Sequence, residues 1–66
     1  MPRLPRLTAE EAERLLLQSG FALLRSKGSH RIYGKGRMHI VVPFHTNQVL
    51  HPKIVRQVYR AIEDSR

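Results

Sequence analysis

Two glycine-bearing breaks, Gly28-Ser29 and Gly34-Lys35-Gly36, divide residues 21–42 into three short segments. Connections this brief cannot carry a crossover helix, so the flanking strands must pair as antiparallel hairpins. Phe21 to Lys27 is apolar at first and basic later, and His30 to Tyr33 forms the second segment. Arg37 to Val42 is the clearest strand, with Met38, Ile40 and Val42 on one face and Arg37, His39 and Val41 on the other. The same alternation links Ile32 with His30: if Ile32 points into the core, His30 follows it to the core's margin. Pro43 ends the third strand, and residues 44–51 are a connecting loop.

Helical signals flank this sheet. Thr8-Ala9-Glu10-Glu11 fits a capping box, in which the Thr8 hydroxyl accepts from the Glu11 amide and the Glu11 carboxylate reaches back. Ala9, Ala12, Leu15 and Leu16 follow at helical spacing, and Gly20 is a left-handed terminator, so a helix is predicted over residues 9–19. Pro52 suits the first position of a second helix, along which Ile54, Val55, Val58, Tyr59 and Ile62 form one apolar stripe. Residues 1–7, with two prolines and two arginines, read as an extended lead-in. The expected fold is α+β: a single two-layer domain over residues 1–66 of order α-β-β-β-α, with a three-stranded antiparallel sheet and two helices on one face.

Charge narrows the function. Twelve Lys and Arg stand against five Asp and Glu, a formal net charge of +7. The acids Glu10, Glu11, Glu13, Glu63 and Asp64 all lie near the ends, and no carboxylate occurs between Arg14 and Ile62. One sign of charge over most of a small domain draws a polyanion, here nucleic acid or an acidic protein. A helix-turn-helix DNA binder fits poorly, because three strands separate the helices. At 66 residues the chain is too short for a dinucleotide-binding fold or a substrate-enclosing barrel, which leaves a surface groove as the place for chemistry. The sequence has no cysteine, so disulfides and thiol nucleophiles are excluded and a reducing cytoplasm is the expected location. No apolar leader or membrane-spanning run is expected.

His30 is the leading candidate for chemistry. It follows the Gly28-Ser29 turn, where a glycine lets a phosphate backbone approach closely, and it stands among Arg25, Lys27 and Arg31. A neutral imidazole can remove the 2′-hydroxyl proton of RNA, or its protonated form can supply one to the leaving oxygen, while nearby cations stabilise a crowded phosphorane. A histidine that only hydrogen-bonds the turn or a phosphate fits the same residues. His45, leaving the sheet through Pro43-Phe44-His45, is a possible second catalytic group or a loop cap, and His51 reads as structural near the helix 2 N-cap. His39, His45 and His51 recur every six residues, but that spacing through strand, loop and helix start aligns no ligand set, so no metal and no cofactor is expected. Gly34-Lys35-Gly36 lacks the lysine–Ser/Thr helix start of a phosphate-binding loop and reads as a hairpin tip. Tyr33 and Phe44 are expected in the core or at its rim. Phosphate contacts are expected from Arg25, Lys27, Gly28, Ser29, Arg31, Lys35 and Arg37, with Lys53, Arg56 and Arg60 on the second helix as another tier.

Gly20-Phe21, then Arg25 and Lys27-Gly28-Ser29-His30, then Tyr33, then Val41-Val42-Pro43-Phe44-His45 and a basic last helix, resembles the HicA toxin family. The resemblance spans roughly Thr8 to Ile62. It implies a fold like double-stranded-RNA-binding domains and an mRNA interferase, a metal-independent endoribonuclease toxin of a type II toxin–antitoxin module. It also implies that His30 is the catalytic histidine, and that an acidic-surfaced HicB-like antitoxin blocks the site. The family opens its last helix on a Gly-Thr-like pair; here Leu50-His51-Pro52-Lys53 stands there, and a proline in the first turn fills the same geometric place. A non-catalytic RNA-binding module of the same fold is the alternative, and a pure interaction domain for an acidic partner is the third reading.

Overall fold

The computed structural model describes residues 5–66. Their order is α1 (Ala9–Gln18), β1 (Ala22–Lys27), β2 (His30–Lys35), β3 (Met38–Pro43) and α2 (Pro52–Asp64), the α-β-β-β-α order expected. The strands form one antiparallel sheet in the order β1-β2-β3. Among the described residues no helix is long and apolar enough to cross a membrane.

Each helix starts where a local donor problem is solved. At α1 the reciprocal capping box is complete: Glu11 N donates to Thr8 Oγ1 at 3.2 Å, and Thr8 N donates to Glu11 Oε1 at 2.9 Å. Those contacts hold the Glu11 carboxyl below its ordinary range, with the Thr8 backbone bond the largest cause. At α2, Lys53 N donates to His51 Nδ1 at 3.0 Å, so His51 is the N-cap and Pro52 occupies the first turn. Residues 1–4 of the expected lead-in lie outside the described residues. Leu7 is buried, its carbonyl accepts from Leu50 N at 2.7 Å, and Thr8 bridges Val49.

The register corrects one expectation about β2 and decides its facing. The second hairpin is tighter than the glycine pattern suggests: Lys35 pairs with Met38, so Gly34 and Lys35 are strand residues and only Gly36 and Arg37 turn the chain. Of the two adjacent apolar residues, Tyr33 is the inward one, as its expected place in the core or at its rim allows, and the condition that would put Ile32 there is not met. Tyr33, opposite Ile40, is completely buried and points toward the helices with Arg31 and Lys35. Ile32, opposite Val41, therefore lies with His30 and Gly34 on the open face of the sheet. The core is Leu7, Ala9, Ala12, Leu16, Phe21, Tyr33, Ile40, Val42, Leu50, Val55 and Val58, which bears out Met38, Ile40 and Val42 as the inner face of β3. All of β1 is exposed, and a bulge at Leu24 breaks its register against β2.

Both helices run in the same direction relative to the sheet. Their N-termini adjoin residues 43–51, through the Leu7–Leu50 contact for α1 and a cleft shared by Pro43 and Ile54 for α2. Their C-termini meet at Lys35, whose ammonium donates to Ser19 O at 2.7 Å and Ser65 O at 3.2 Å. One cation thus answers the negative ends of both helix dipoles. Lys35→Met is expected to lower stability by about 2 kcal/mol, because the methionine leaves those carbonyls without their charged donor. Thermal melting should show it as a loss of about 10 °C; a melting point within a degree of wild type would remove Lys35 from this role.

Candidate active site

The β1–β2 hairpin is built for a two-residue turn. Lys27 pairs with His30, and Gly28 takes a left-handed φ of 59°, which a residue with a side chain adopts only at a cost. A Cβ at Gly28 would meet nothing within 4 Å, so the backbone conformation demands the glycine while the space beside it stays open. His30 follows directly and is exposed. Its cross-strand neighbours are Lys27 on β1 and Pro43 on β3, and Phe44 N donates to Ser29 O, tying the exit of β3 to the same turn.

Around His30 the open face carries two basic side chains of β1 and an apolar strip. Arg25 pairs with Ile32 and Lys27 with His30, both cations exposed. Val41 is 45% exposed and Leu24 is 53% exposed. Leu24 and His39 sit over Gly34, where a Cβ would come within 2.5 Å of Leu24 Cδ1.

Three of the expected phosphate ligands are placed elsewhere. Arg31 lies on the helix side of the sheet, donates to Glu13 Oε2 at 2.8 Å and stacks its guanidinium 3.8 Å from the Phe44 ring centroid. Lys35 is engaged by the helix C-termini. Arg37 is exposed in the second turn, at the opposite end of the six-residue β2 from His30. At about 3.3 Å per residue that separation is about 17 Å. Arg25, Lys27, Gly28 and Ser29 surround His30 as expected. Lys53 and Arg56 are exposed on the first half of α2, the half nearer Pro43.

The sequence reading missed Glu13. Its carboxylate accepts from both Arg31 and the Tyr33 hydroxyl, and Tyr33 first, then Arg31, hold it below the ordinary carboxylate range. Burial and that same carboxylate push the Tyr33 hydroxyl well above its ordinary value, and the Arg31 guanidinium is held more firmly protonated. The signal in the sequence was faint: a third acid beyond the first turn of α1, with nothing local to answer it.

The four histidines take separate places. His39 is on the open face, His51 caps α2, and His45 leaves the sheet two residues after the proline opposite His30. Among the described residues, no three His, Asp or Glu side chains gather as a metal site. His45 and His51 line a cleft of about 190 Å³ with Pro43, Gln48, Val49, Leu50 and Ile54.

The model of the HicA toxin of bacterial toxin–antitoxin systems matches residues 9–63, from the first residue of α1 to the penultimate residue of α2. The chain belongs to the HicA toxin family. A toxin role and an antitoxin partner follow from that membership. Neither a curated protein nor a solved structure gives a significant match to the chain. The HicA match includes the Gly28-Ser29 turn before His30, the β3 exit paired with it and the His51 cap of α2. In this HicA domain the positive end of α2 carries no acidic residue in its first turn, whereas α1 carries Glu10 and Glu11 there.

Proposed function

We propose that this HicA toxin is a metal-independent endoribonuclease that cuts mRNA with His30 as its proton-transfer group. The observation that carries the reading is the exposed imidazole directly after an open glycine turn, flanked by Arg25 and Lys27. RNA supplies its own nucleophile. His30 takes the proton of a 2′-hydroxyl, O2′ bonds to the adjacent phosphorus, and the P–O5′ bond breaks. The departing oxygen takes a proton from water or from His45, which lies at the same end of the sheet. Arg25 and Lys27, with Lys53 and Arg56 beyond the loop, hold the flanking phosphates and oppose the charge that builds on phosphorus. The HicB-like antitoxin of the pair covers this surface, and the module works in the cytoplasm.

The mechanism makes the 2′-hydroxyl indispensable. Purified protein in EDTA is expected to cut a long unstructured RNA and to leave single-stranded DNA of the same sequence whole. Equal cutting of both would sink the 2′-hydroxyl mechanism. Binding of RNA without cutting, in the same tube, would favour a non-catalytic RNA-binding module.

A further inference from the structure

The cleft between the β3 exit and α2 shares His45 with the proposed proton transfer, and the rest of its lining has no part in that step. Pro43 is at once a wall of the cleft and the cross-strand neighbour of His30. Cross-strand Cα atoms lie only about 5 Å apart, so the cleft begins one strand from the backbone of His30, within reach of the same RNA strand. Its size excludes much. At about 190 Å³ it is below the ~300–1,000 Å³ of pockets that enclose whole small molecules, and it suits a single flat ring.

The lining suits a flat ring with polar edges. Pro43, Val49, Leu50 and Ile54 give apolar surface on which a ring can lie, while Gln48, His45 and His51 supply edge groups. The Gln48 carboxamide offers both an acceptor and two donors. Because His51 Nδ1 accepts from Lys53 N, the proton of its neutral ring is on Nε2, a further donor. The loop is also shaped for this. Asn47 takes a φ of 63°, uncommon without glycine, in a turn closed by Gln48 N donating to His45 O at 3.3 Å. Val49, 55% exposed, is held at the rim by its bridge to Thr8. The acid-free N-terminus of α2 beside it favours the phosphate that such a base would bring.

We infer that this cleft receives one unstacked base of the RNA strand whose phosphate lies at His30, and that Gln48 reads its edge. The inference rests on RNA as the ligand of the proposed function and adds to it a determinant of where the strand is cut.

The test uses the isotope-labelled full chain and an uncleavable 2′-O-methyl tetranucleotide, beside the same tetranucleotide made abasic. With bases present, the Gln48 side-chain amide and the Val49 and Ile54 methyl resonances are expected to shift together with the His30 ring. The abasic strand should move His30 and leave the cleft signals in place. Gln48→Ala should weaken binding about tenfold without changing the slope of affinity against salt, because a base contact releases no counterion. Three results would each overturn the inference: cleft signals that stay still while His30 shifts, cleft signals that move equally with the abasic strand, or unchanged affinity in Gln48→Ala. Absence of any binding would overturn it too. Cleavage is read separately with ordinary RNA, so base-dependent shifts without cutting would leave the cleft assignment standing and remove the catalytic one.

Discussion

His30→Ala is expected to lower RNA cleavage by about 10²–10⁴-fold, the range a positioned acid or base contributes to proton transfer. Folding should be nearly untouched. The His30 side chain is exposed on the open face, outside the core cluster, and no hydrogen bond of the described residues depends on its ring. Binding should also survive, because Arg25, Lys27, Lys53 and Arg56 keep their charges. The variant therefore separates three readings that the wild type alone does not. Loss of cutting with binding retained makes His30 the proton-transfer group. Loss of both would make it a phosphate contact. Equal cutting by the variant would pass the role to His45, whose own replacement is then the next measurement. In cells, wild type made without an antitoxin is expected to arrest bacterial growth and His30→Ala to spare it.

The local parts of this architecture were legible because each is decided within a few residues. Thr8 and Glu11 cap α1 reciprocally, Gly28 supplies a left-handed turn residue, and Pro52 follows the N-cap of α2, all as sequence rules anticipate. The facing of β2 was not legible from Ile32 alone. Ile32 and Tyr33 are adjacent and both carry a large apolar surface, so alternation permits either to point inward. The choice is consistent with a contact 20 residues away, Tyr33 to Glu13, which no window of sequence contains. Lys35 was misread for the same reason. Counting cations finds a basic hairpin, but only the meeting of two helix C-termini explains why one of those cations faces inward. The candidate site divides along this line. His30 and its turn are local features, whereas the cleft assembles from β3, the loop and α2 and exists only once they pack.

Tyr33 carries the largest expected effect on stability. It is the largest of the fully buried side chains, in the central strand of the sheet. Tyr33→Ala removes a buried aromatic ring, a change that costs about 3–5 kcal/mol. A domain of this length has a total of roughly 3–10 kcal/mol, at ~0.05–0.15 kcal/mol per residue, so the variant is expected to be largely unfolded at 37 °C. Tyr33→Phe is the more informative partner, since it keeps the ring and removes only the hydroxyl held by Glu13. Its deficit should depend on pH in a way that a packing defect does not. Glu13 titrates below its ordinary 4.5 when folded, so its contribution is present above that value and is lost as pH falls through the lower folded one. Tyr33 titrates above its ordinary 10.0 when folded, so its contribution is complete below 10 and is lost as pH rises beyond it. Wild type should therefore exceed Tyr33→Phe by a constant margin between about pH 5 and pH 9, with the two converging at both extremes. Denaturant melts across that range measure the margin directly. A deficit that stays the same at pH 3 and pH 11 would show that the hydroxyl contributes through packing and not through its bond to Glu13.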